Sequence, residues 1–266
     1  MITYKTTDDA VLWSTDAGIG RITLNRPQQA NAIGLATARA LADVVVEIAK
    51  ADVRAVLISA RGDYFCVGGD IREFIEQNDP LDGIVGNMLE FMHPAIHKLA
   101  SLAIPVVSAV NGPIGGAGIS LALCADIVLA ADTAKLRGGY SAIGLTPDLG
   151  ASYYLTRRVG AAKAKQILLL NQAVTAQECL SLGIVDQLHP AAGLQQAAEA
   201  LVQQLAAGAT KSYGCIKDLC DSAFSHSLQD HLALEQKLLM SCAQSADVKE
   251  GITAFMEKRP PRFAGK

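Results

Sequence analysis

The chain lacks the patterns that would tie its cysteines to a metal or to a disulfide framework. They form no CxxC pair, and no histidine cluster accompanies them. The six are Cys66, Cys124, Cys179, Cys215, Cys220 and Cys242. We therefore expect reduced, mostly buried thiols and no bound metal.

A concentration of charge of one sign is also missing. The 23 basic and 26 acidic residues are spread along the chain and give a formal net charge of −3. Without a basic face, neither nucleic acid nor an anionic membrane is an expected partner. The N-terminal segment is too polar for a signal peptide and lacks the pattern of a transit sequence, which favours a cytoplasmic location.

No apolar run is long enough to predict a membrane span. The longest apolar stretch, residues 104–131, is interrupted by proline, asparagine, several glycines and Asp126. It predicts instead a buried strand, a turn, a helix and a second strand.

What the sequence does contain is apolar periodicity of two kinds, in a chain of 266 residues of which half are apolar. Strand patterns alternate with helical ones up to about residue 193, which predicts an α/β fold with a largely buried sheet. The predicted strands are 20–24, 54–59, 106–110, 127–130 and 185–188. After the helix at 36–50, the remaining clear helices are 194–207, 211–224, 227–243 and 248–258. We therefore predict a core at 1–193 and a helical region at 194–266, with no linker between them.

The first of three informative loops, residues 61–71, contains Gly68 and Gly69 and follows the predicted strand 54–59. Paired glycines let backbone amides approach a ligand closely and can open a helix at the same point. Taken alone, this first glycine loop favours a tight turn.

The second glycine loop, residues 110–119, lies between an apolar strand and an apolar helix. Its amides, above all that of Ala117, would point from the helix N-terminus at a developing negative charge. Two such loops are what an oxyanion hole with two N–H donors requires. A dinucleotide fingerprint, helped by Asp132, is the competing interpretation, but Leu121 stands where its third glycine or alanine belongs.

The third loop, residues 143–152, places Asp148 between a proline and a leucine. A carboxylate in such a mixed apolar setting can have a raised pKa, which suits proton transfer. Capping the following helix is the alternative role for this residue.

In their order and spacing, the three loops resemble those of the enoyl-CoA hydratase/isomerase (crotonase) superfamily, and the resemblance extends from residue 25 to residue 259. It implies a crotonase-like spiral of ββα units with a C-terminal helical trimerisation region. It also implies a homotrimer, or a hexamer made of two trimers. The implied substrate is an acyl-CoA thioester, so that coenzyme A arrives as part of the substrate and no cofactor is permanently bound.

Carried onto this chain, the resemblance places the two oxyanion donors at the N–H groups of Gly69 and Ala117, with Asp148 as the third catalytic residue. The residues that it implies around the substrate are Ala30, Asn31, Gly68, Arg72, His93, Gly116, Tyr140, Phe255 and Lys258.

Several of these residues are expected at the coenzyme A end. The resemblance places the adenine against the loop with Ala30 and Asn31, and the phosphates beside Arg72. Phe255 and Lys258 match positions that close over the nucleotide from a neighbouring subunit. For Arg72 and Lys258, solvated surface charge is the alternative.

The expected reaction follows from a departure from the hydratase pattern. Hydratases of the family hold water between two glutamates, and this chain has Ser120 and Tyr140 at those places. Neither hydroxyl is a good general base at neutral pH. Isomerases of the superfamily carry an aspartate at the position of Asp148, so we favour double-bond isomerisation or a related rearrangement. Hydration is the alternative.

Two further functions remain open from the sequence. Aryl-CoA dehalogenases of the superfamily use an aspartate at this place with a histidine that His93 matches, but Tyr140 replaces their tryptophan. Packing in its helix is the first expectation for His93, and lining the acyl pocket the second. A non-catalytic acyl-CoA binder is the other possibility, because a fold does not fix an activity.

The sequence does not assign the acyl group. The pocket is expected to be lined by residues 74–92, for which the pattern predicts no firm conformation.

Overall fold

The fold consists of two β-sheets surrounded by helices, in a computed structural model that describes residues 5–76 and 80–266. The strands are β1 (Lys5–Asp8), β2 (Val11–Asp16), β3 (Ile19–Leu24), β4 (Ala55–Ala60), β5 (Val106–Val110), β6 (Ile114–Gly115), β7 (Ile127–Ala131), β8 (Lys135–Arg137), β9 (Val174–Thr175) and β10 (Gln187–His189). The larger sheet has the order β1-β2-β3-β4-β5-β7-β10, and the smaller one has the order β6-β8-β9.

Strand pairing changes from antiparallel to parallel within the larger sheet. The pairs β1–β2 and β2–β3 are antiparallel, whereas every pair from β3 to β10 is parallel. A parallel sheet requires helical crossovers on its faces, which explains the alternation of strands and helices along the chain.

The helices lie between the strands and then follow one another at the C-terminus. They are α1 (Leu35–Lys50), α2 (Ile71–Glu76), α3 (Leu81–Ala100), α4 (Ala117–Leu123), α5 (Ala151–Leu170), α6 (Ala176–Ser181), α7 (Leu194–Ala206), α8 (Thr210–Ser222), α9 (Leu228–Ala243) and α10 (Ala246–Met256). Gly160, with φ of 76°, breaks the helical geometry inside α5.

The core consists of two apolar layers, one on each face of the larger sheet. On one face, α1 and α3 contribute residues such as Leu41 and Leu99, which belong to the same buried cluster as Ile58. On the other face, Val202 of α7 belongs to a buried cluster with Leu57 and further residues of the sheet. The strands are therefore apolar on both faces, as expected for a buried parallel sheet.

The predicted elements agree with this architecture. The strands predicted at 20–24, 54–59, 106–110 and 127–130 correspond to β3, β4, β5 and β7, and the four C-terminal helices to α7 through α10. The α/β assignment is thereby confirmed. Residues 74–92, for which no conformation was predicted, are helical up to Glu76 in α2 and from Leu81 in α3, and residues 77–79 lie outside the described part.

The predicted boundary at 193/194 falls between β10 and α7. Because α7 packs on the sheet and Glu199 of α7 accepts a 2.8 Å ion-pair contact from Arg21 of β3, part of the segment 194–266 belongs to the core layers. The division into two regions stays a prediction.

Within the described ranges, no helix combines the length and the apolar character needed to cross a bilayer.

Candidate active site

A cavity of about 680 Å³ lies between α3, the two glycine loops and the third loop. Most of its wall is apolar, with Phe74, Met88 and Met92 from α2 and α3 on one side. The polar side chains that line it are His93, Lys135, Arg137, Tyr140, Thr146 and Asp148. A large apolar cavity with a few polar groups is the usual form of a small-molecule site.

The two glycine loops pack against each other backbone to backbone at one wall of this cavity. Gly68 has φ of 106° and Gly116 has φ of 48°, a region that favours glycine. A Cβ atom on Gly68 would lie 3.2 Å from the Gly116 Cα atom and 3.4 Å from the Ala117 nitrogen. The close approach therefore requires glycine at residue 68 and brings Gly69 next to Ala117.

Both predicted donor amides lie on the cavity wall. Gly69 forms an isolated parallel bridge with Ile33, in which Ile33 N–H donates to Gly68 and Asp70 N–H donates to Ile33. Among the residues that the structure describes, none accepts a hydrogen bond from the N–H of Gly69 or of Ala117. Ala117 is also the first residue of α4, where the helix leaves its N–H groups free. Two neighbouring amides can thus donate to a ligand.

Asp148 faces the same cavity from the third loop. The Tyr140 hydroxyl donates a 2.6 Å hydrogen bond to its Oδ1 atom. Burial raises the pKa of the Asp148 carboxyl, while the hydrogen bond from Tyr140 and the nearby charge of His93 act in the opposite direction. Such a carboxyl group can both take up and release a proton.

Two hydrogen bonds to the backbone carbonyl of Asp148 hold the loop that carries this carboxyl. The Asp148 carbonyl accepts hydrogen bonds from the Ala151 N–H at 2.8 Å and from the Ser120 hydroxyl at 3.1 Å. Ser120 is fully buried and does not line the cavity. Among the described residues that do line it, Asp148 is the one acid, so the site offers a single carboxylate.

His93 lines the cavity and does not pack into the core. On α3, Met92, Ala95 and Ile96 occupy the buried face, which leaves His93 exposed on the side that faces Asp148. The first expectation for this residue, packing within the helix, is therefore wrong. The second, lining the pocket, agrees with its position.

Asn31 is used within the chain. Its side chain is 2% exposed, donates hydrogen bonds to the carbonyls of Arg61 and Tyr64, and accepts one from the Arg26 N–H. The side chain therefore supports the turn between residues 26 and 31. The expected contact of the Ala30–Asn31 loop with the adenine stays a prediction.

Three other predicted contacts lie away from the cavity within one chain. Arg72 and Lys258 are exposed, Phe255 is 82% exposed, and none of the three lines the cavity. The expectation for Phe255 and Lys258 concerned a neighbouring subunit, so these roles stay predictions.

In the described part of the chain, no group of three or more histidine, cysteine, aspartate or glutamate side chains is placed to hold a metal ion.

Two charged residues of the cavity were not predicted from the sequence. Lys135 and Arg137 stand on either side of the buried Leu136 in β8, and both are exposed at the cavity. The alternation of the three residues is the signal that could have revealed them, but the strand is too short for this pattern to stand out.

Comparison with known proteins agrees with this architecture. The family model described as Enoyl-CoA hydratase/isomerase matches residues 14–266. A probable enoyl-CoA hydratase of Rhodobacter capsulatus is 33% identical over 96% of this chain and 98% of its own length. The 1,2-epoxyphenylacetyl-CoA isomerase of Escherichia coli is 34% identical over 96% of this chain and 98% of its own.

A similar structure is that of a putative enoyl-CoA hydratase/isomerase from Mycobacterium abscessus. It superposes with a TM-score of 0.93 at 32% identity and covers 97% of this chain and 100% of its own. The α/β crotonase fold predicted from the sequence is confirmed. With a family match over nearly its whole length, the chain belongs to the enoyl-CoA hydratase/isomerase (crotonase) family of enzymes.

Proposed function

We propose that this enzyme moves a double bond within an unsaturated acyl-CoA thioester, with Asp148 as the group that carries the proton. The observation that supports this most strongly is a single carboxylate on a cavity wall that also presents two free amides, those of Gly69 and Ala117. Coenzyme A enters as part of the substrate. The names of the relatives include both a hydratase and an isomerase, so the choice of reaction depends on the site.

The proton transfer begins with ionised Asp148. The carboxylate removes a proton from a carbon beside the double bond, and the electron pair moves through the conjugated system onto the thioester oxygen. Two N–H donors stabilise that oxyanion, and each such donor typically contributes roughly 3 to 4 kcal/mol in the transition state. Asp148 then returns the proton two carbons away, so the product has the mass of the substrate.

Hydration is less well supported by the same site. The two-glutamate mechanism needs a second carboxylate to hold and activate water. Ser120 is buried behind the third loop, and the Tyr140 hydroxyl donates a hydrogen bond to Asp148. Burial and the neighbouring carboxylate also raise the pKa of the Tyr140 hydroxyl, which keeps it protonated at neutral pH and so unable to act as a base.

We extend the proposal to the assembly, a homotrimer or a hexamer of two trimers. The C-terminal helices expose large apolar side chains that water would otherwise contact. They include Leu228, Leu232, Leu239, Met240, Ile252, Phe255 and Met256. In such an assembly Phe255 and Lys258 of one subunit would close over the nucleotide bound by the next.

The test is a panel of 2-enoyl-, 3-enoyl- and ring-bearing CoA esters, followed by mass spectrometry and ultraviolet absorbance. We expect a change of absorbance without a change of mass. A gain of one water would instead identify a hydratase. The Asp148→Asn variant should bind the thioester and lose turnover, whereas a wild-type protein that binds without any turnover would be a binding protein and not an enzyme.

A further inference from the structure

The small sheet places two cations on the cavity wall. Lys135 and Arg137 lie two residues apart in β8, so their side chains extend to the same face, and both are exposed there. Along a strand this spacing amounts to roughly 6 to 7 Å. The wall around them is mainly apolar, with Ile143 and Leu145 nearby in the lining. Two like charges that face one cavity repel each other, and an anion bound between them would relieve that repulsion.

The strand register places this pair next to the predicted oxyanion loop. Arg137 is the β-partner of Gly115, and the Gly116 N–H donates a 3.0 Å hydrogen bond to the carbonyl of Gly138. Arg137 therefore lies opposite a residue that is two positions before Ala117, and Lys135 lies farther along β8. A group attached to a thioester whose oxygen meets Ala117 can reach both cations.

The guanidinium of Arg137 is held in place but keeps donors to spare. Its Nε atom donates a 3.0 Å hydrogen bond to the Asn171 carbonyl, and the Asn171 side chain accepts a 2.7 Å hydrogen bond from the Gly139 N–H. No acidic side chain within residues 5–76 and 80–266 forms an ion pair with Lys135 or Arg137. The two Nη atoms and the lysine ammonium thus remain available, and arginine is suited to bidentate binding of carboxylate or phosphate.

We infer that Lys135 and Arg137 bind an anionic group of the thioester substrate, a carboxylate on the acyl chain or a phosphate of coenzyme A. The inference rests on the proposed function and names a feature of the substrate that this function leaves open. If the bound group is a carboxylate, the enzyme would be selective for acyl chains that carry a carboxylate in addition to the thioester. The phosphate source would make the pair part of the coenzyme A site.

Three saturated thioesters distinguish the sources, because they lack a double bond and report binding alone. Hexanoyl-CoA has the phosphates, adipoyl-CoA adds a carboxylate to a chain of the same length, and hexanoyl-pantetheine lacks the phosphates. Dissociation constants are measured by calorimetry for the wild type and for the Lys135→Gln/Arg137→Gln double variant. The matched control is Lys50→Gln/Lys165→Gln, which removes two exposed charges outside the cavity.

Two results would support the inference. Weaker binding of adipoyl-CoA by about tenfold, with hexanoyl-CoA unchanged, would identify a carboxylate, and an equal loss for both CoA esters with hexanoyl-pantetheine unchanged would identify a phosphate. An effect of this size is what two exposed charge pairs provide. Binding of all three within twofold of the wild type, or an equal loss that includes hexanoyl-pantetheine, would overturn it.

The same titrations separate this inference from the proposed function. A wild-type protein that binds none of the three thioesters contradicts the proposed function itself. A wild-type protein that binds CoA esters and isomerises enoyl-CoA, with a double variant that behaves identically, contradicts the inference alone. Thermal unfolding of both double variants, expected to match the wild type, confirms that they are folded.

Discussion

The Tyr140 hydroxyl donates a hydrogen bond of 2.6 Å to the Oδ1 atom of Asp148, the one acid among the described residues that line the cavity. The bond fixes the direction of one carboxylate oxygen. It also favours the ionised form of Asp148 against the burial that raises its pKa. Tyr140 is therefore expected to position and tune the proton carrier.

Replacement of Tyr140 by phenylalanine should move the acid limb of the pH–kcat profile to higher pH. The hydrogen bond lowers the pKa of Asp148, so its loss raises that pKa and delays formation of the carboxylate as pH rises. We expect a shift of roughly one pH unit, because a hydrogen bond to a charged group contributes about 1.5 kcal/mol and one pKa unit corresponds to about 1.4 kcal/mol. Tyr153→Phe, outside the cavity, should leave the profile unchanged. A Tyr140→Phe profile that coincides with the wild type would exclude the tuning role.

Asp148→Asn should abolish turnover and leave the protein equally or more stable. Because burial raises the pKa of this carboxyl in the folded state, the ionised form opposes folding at neutral pH, and the fold gains stability as pH falls through the raised pKa. Removing the charge should stabilise the fold by about 1 kcal/mol at neutral pH and remove that part of the pH dependence. Denaturant unfolding at several pH values measures the free energy of unfolding and its pH dependence. Asp132→Asn, at an exposed residue, is the control. Marked destabilisation by Asp148→Asn would show that the carboxylate is needed structurally.

Gly68→Ala should impair both stability and activity. The residue has φ of 106°, and an added Cβ would press on the second glycine loop at 3.2 Å. Backbone strain of this kind costs roughly 1 to 3 kcal/mol, and the displaced loop should misplace the amides of Gly69 and Ala117. Gly160→Ala is the matched control, since Gly160 also has positive φ but nothing within 4 Å of the added Cβ. It should lose stability and keep kcat, and an equal loss of kcat in both variants would argue against a specific role of the loop contact.

Asn31→Ala should destabilise the protein by roughly 2 to 4 kcal/mol, measured by chemical denaturation. The change leaves two carbonyls and one N–H without their partner in a buried turn, and each unsatisfied buried group costs about 1 to 3 kcal/mol. Asn87→Ala on the exposed side of α3 should be neutral. A stable Asn31→Ala protein that had lost only affinity for CoA would contradict this structural role and would indicate that the side chain itself binds the nucleotide.

The order of strands and helices could be predicted because each core element has a strong apolar pattern. The strand β5 is buried at every position, and α7 has an apolar face that the sheet covers. The two glycine loops could be identified because close approach leaves glycine as the residue that fits.

What remained hidden from the sequence depends on contacts between distant or short elements. The apolar periodicity does not show which side of α3 meets the core. The first expectation for His93, packing within the helix, was therefore wrong. The bond between Tyr140 and Asp148 depends on a 3-10 turn at Tyr140–Ile143 followed by left-handed geometry at Leu149, neither of which leaves a pattern. The structural role of the Asn31 side chain could not be predicted because its three partners lie in another loop and in its own turn.

The loops that carry the two donor amides are held by backbone pairing, the first loop to the segment at Ile33 and the two loops to each other. Ile33 bridges to Gly69, and Cys66 bridges to Ile114, so each loop is held by main-chain hydrogen bonds that exist before any thioester arrives. The conformational entropy of ordering the donors is therefore spent during folding and not during catalysis. Such a preorganised pair of dipoles needs no rearrangement as charge develops on the oxygen, so a stable enolate mimic should bind with little change in the backbone of either loop.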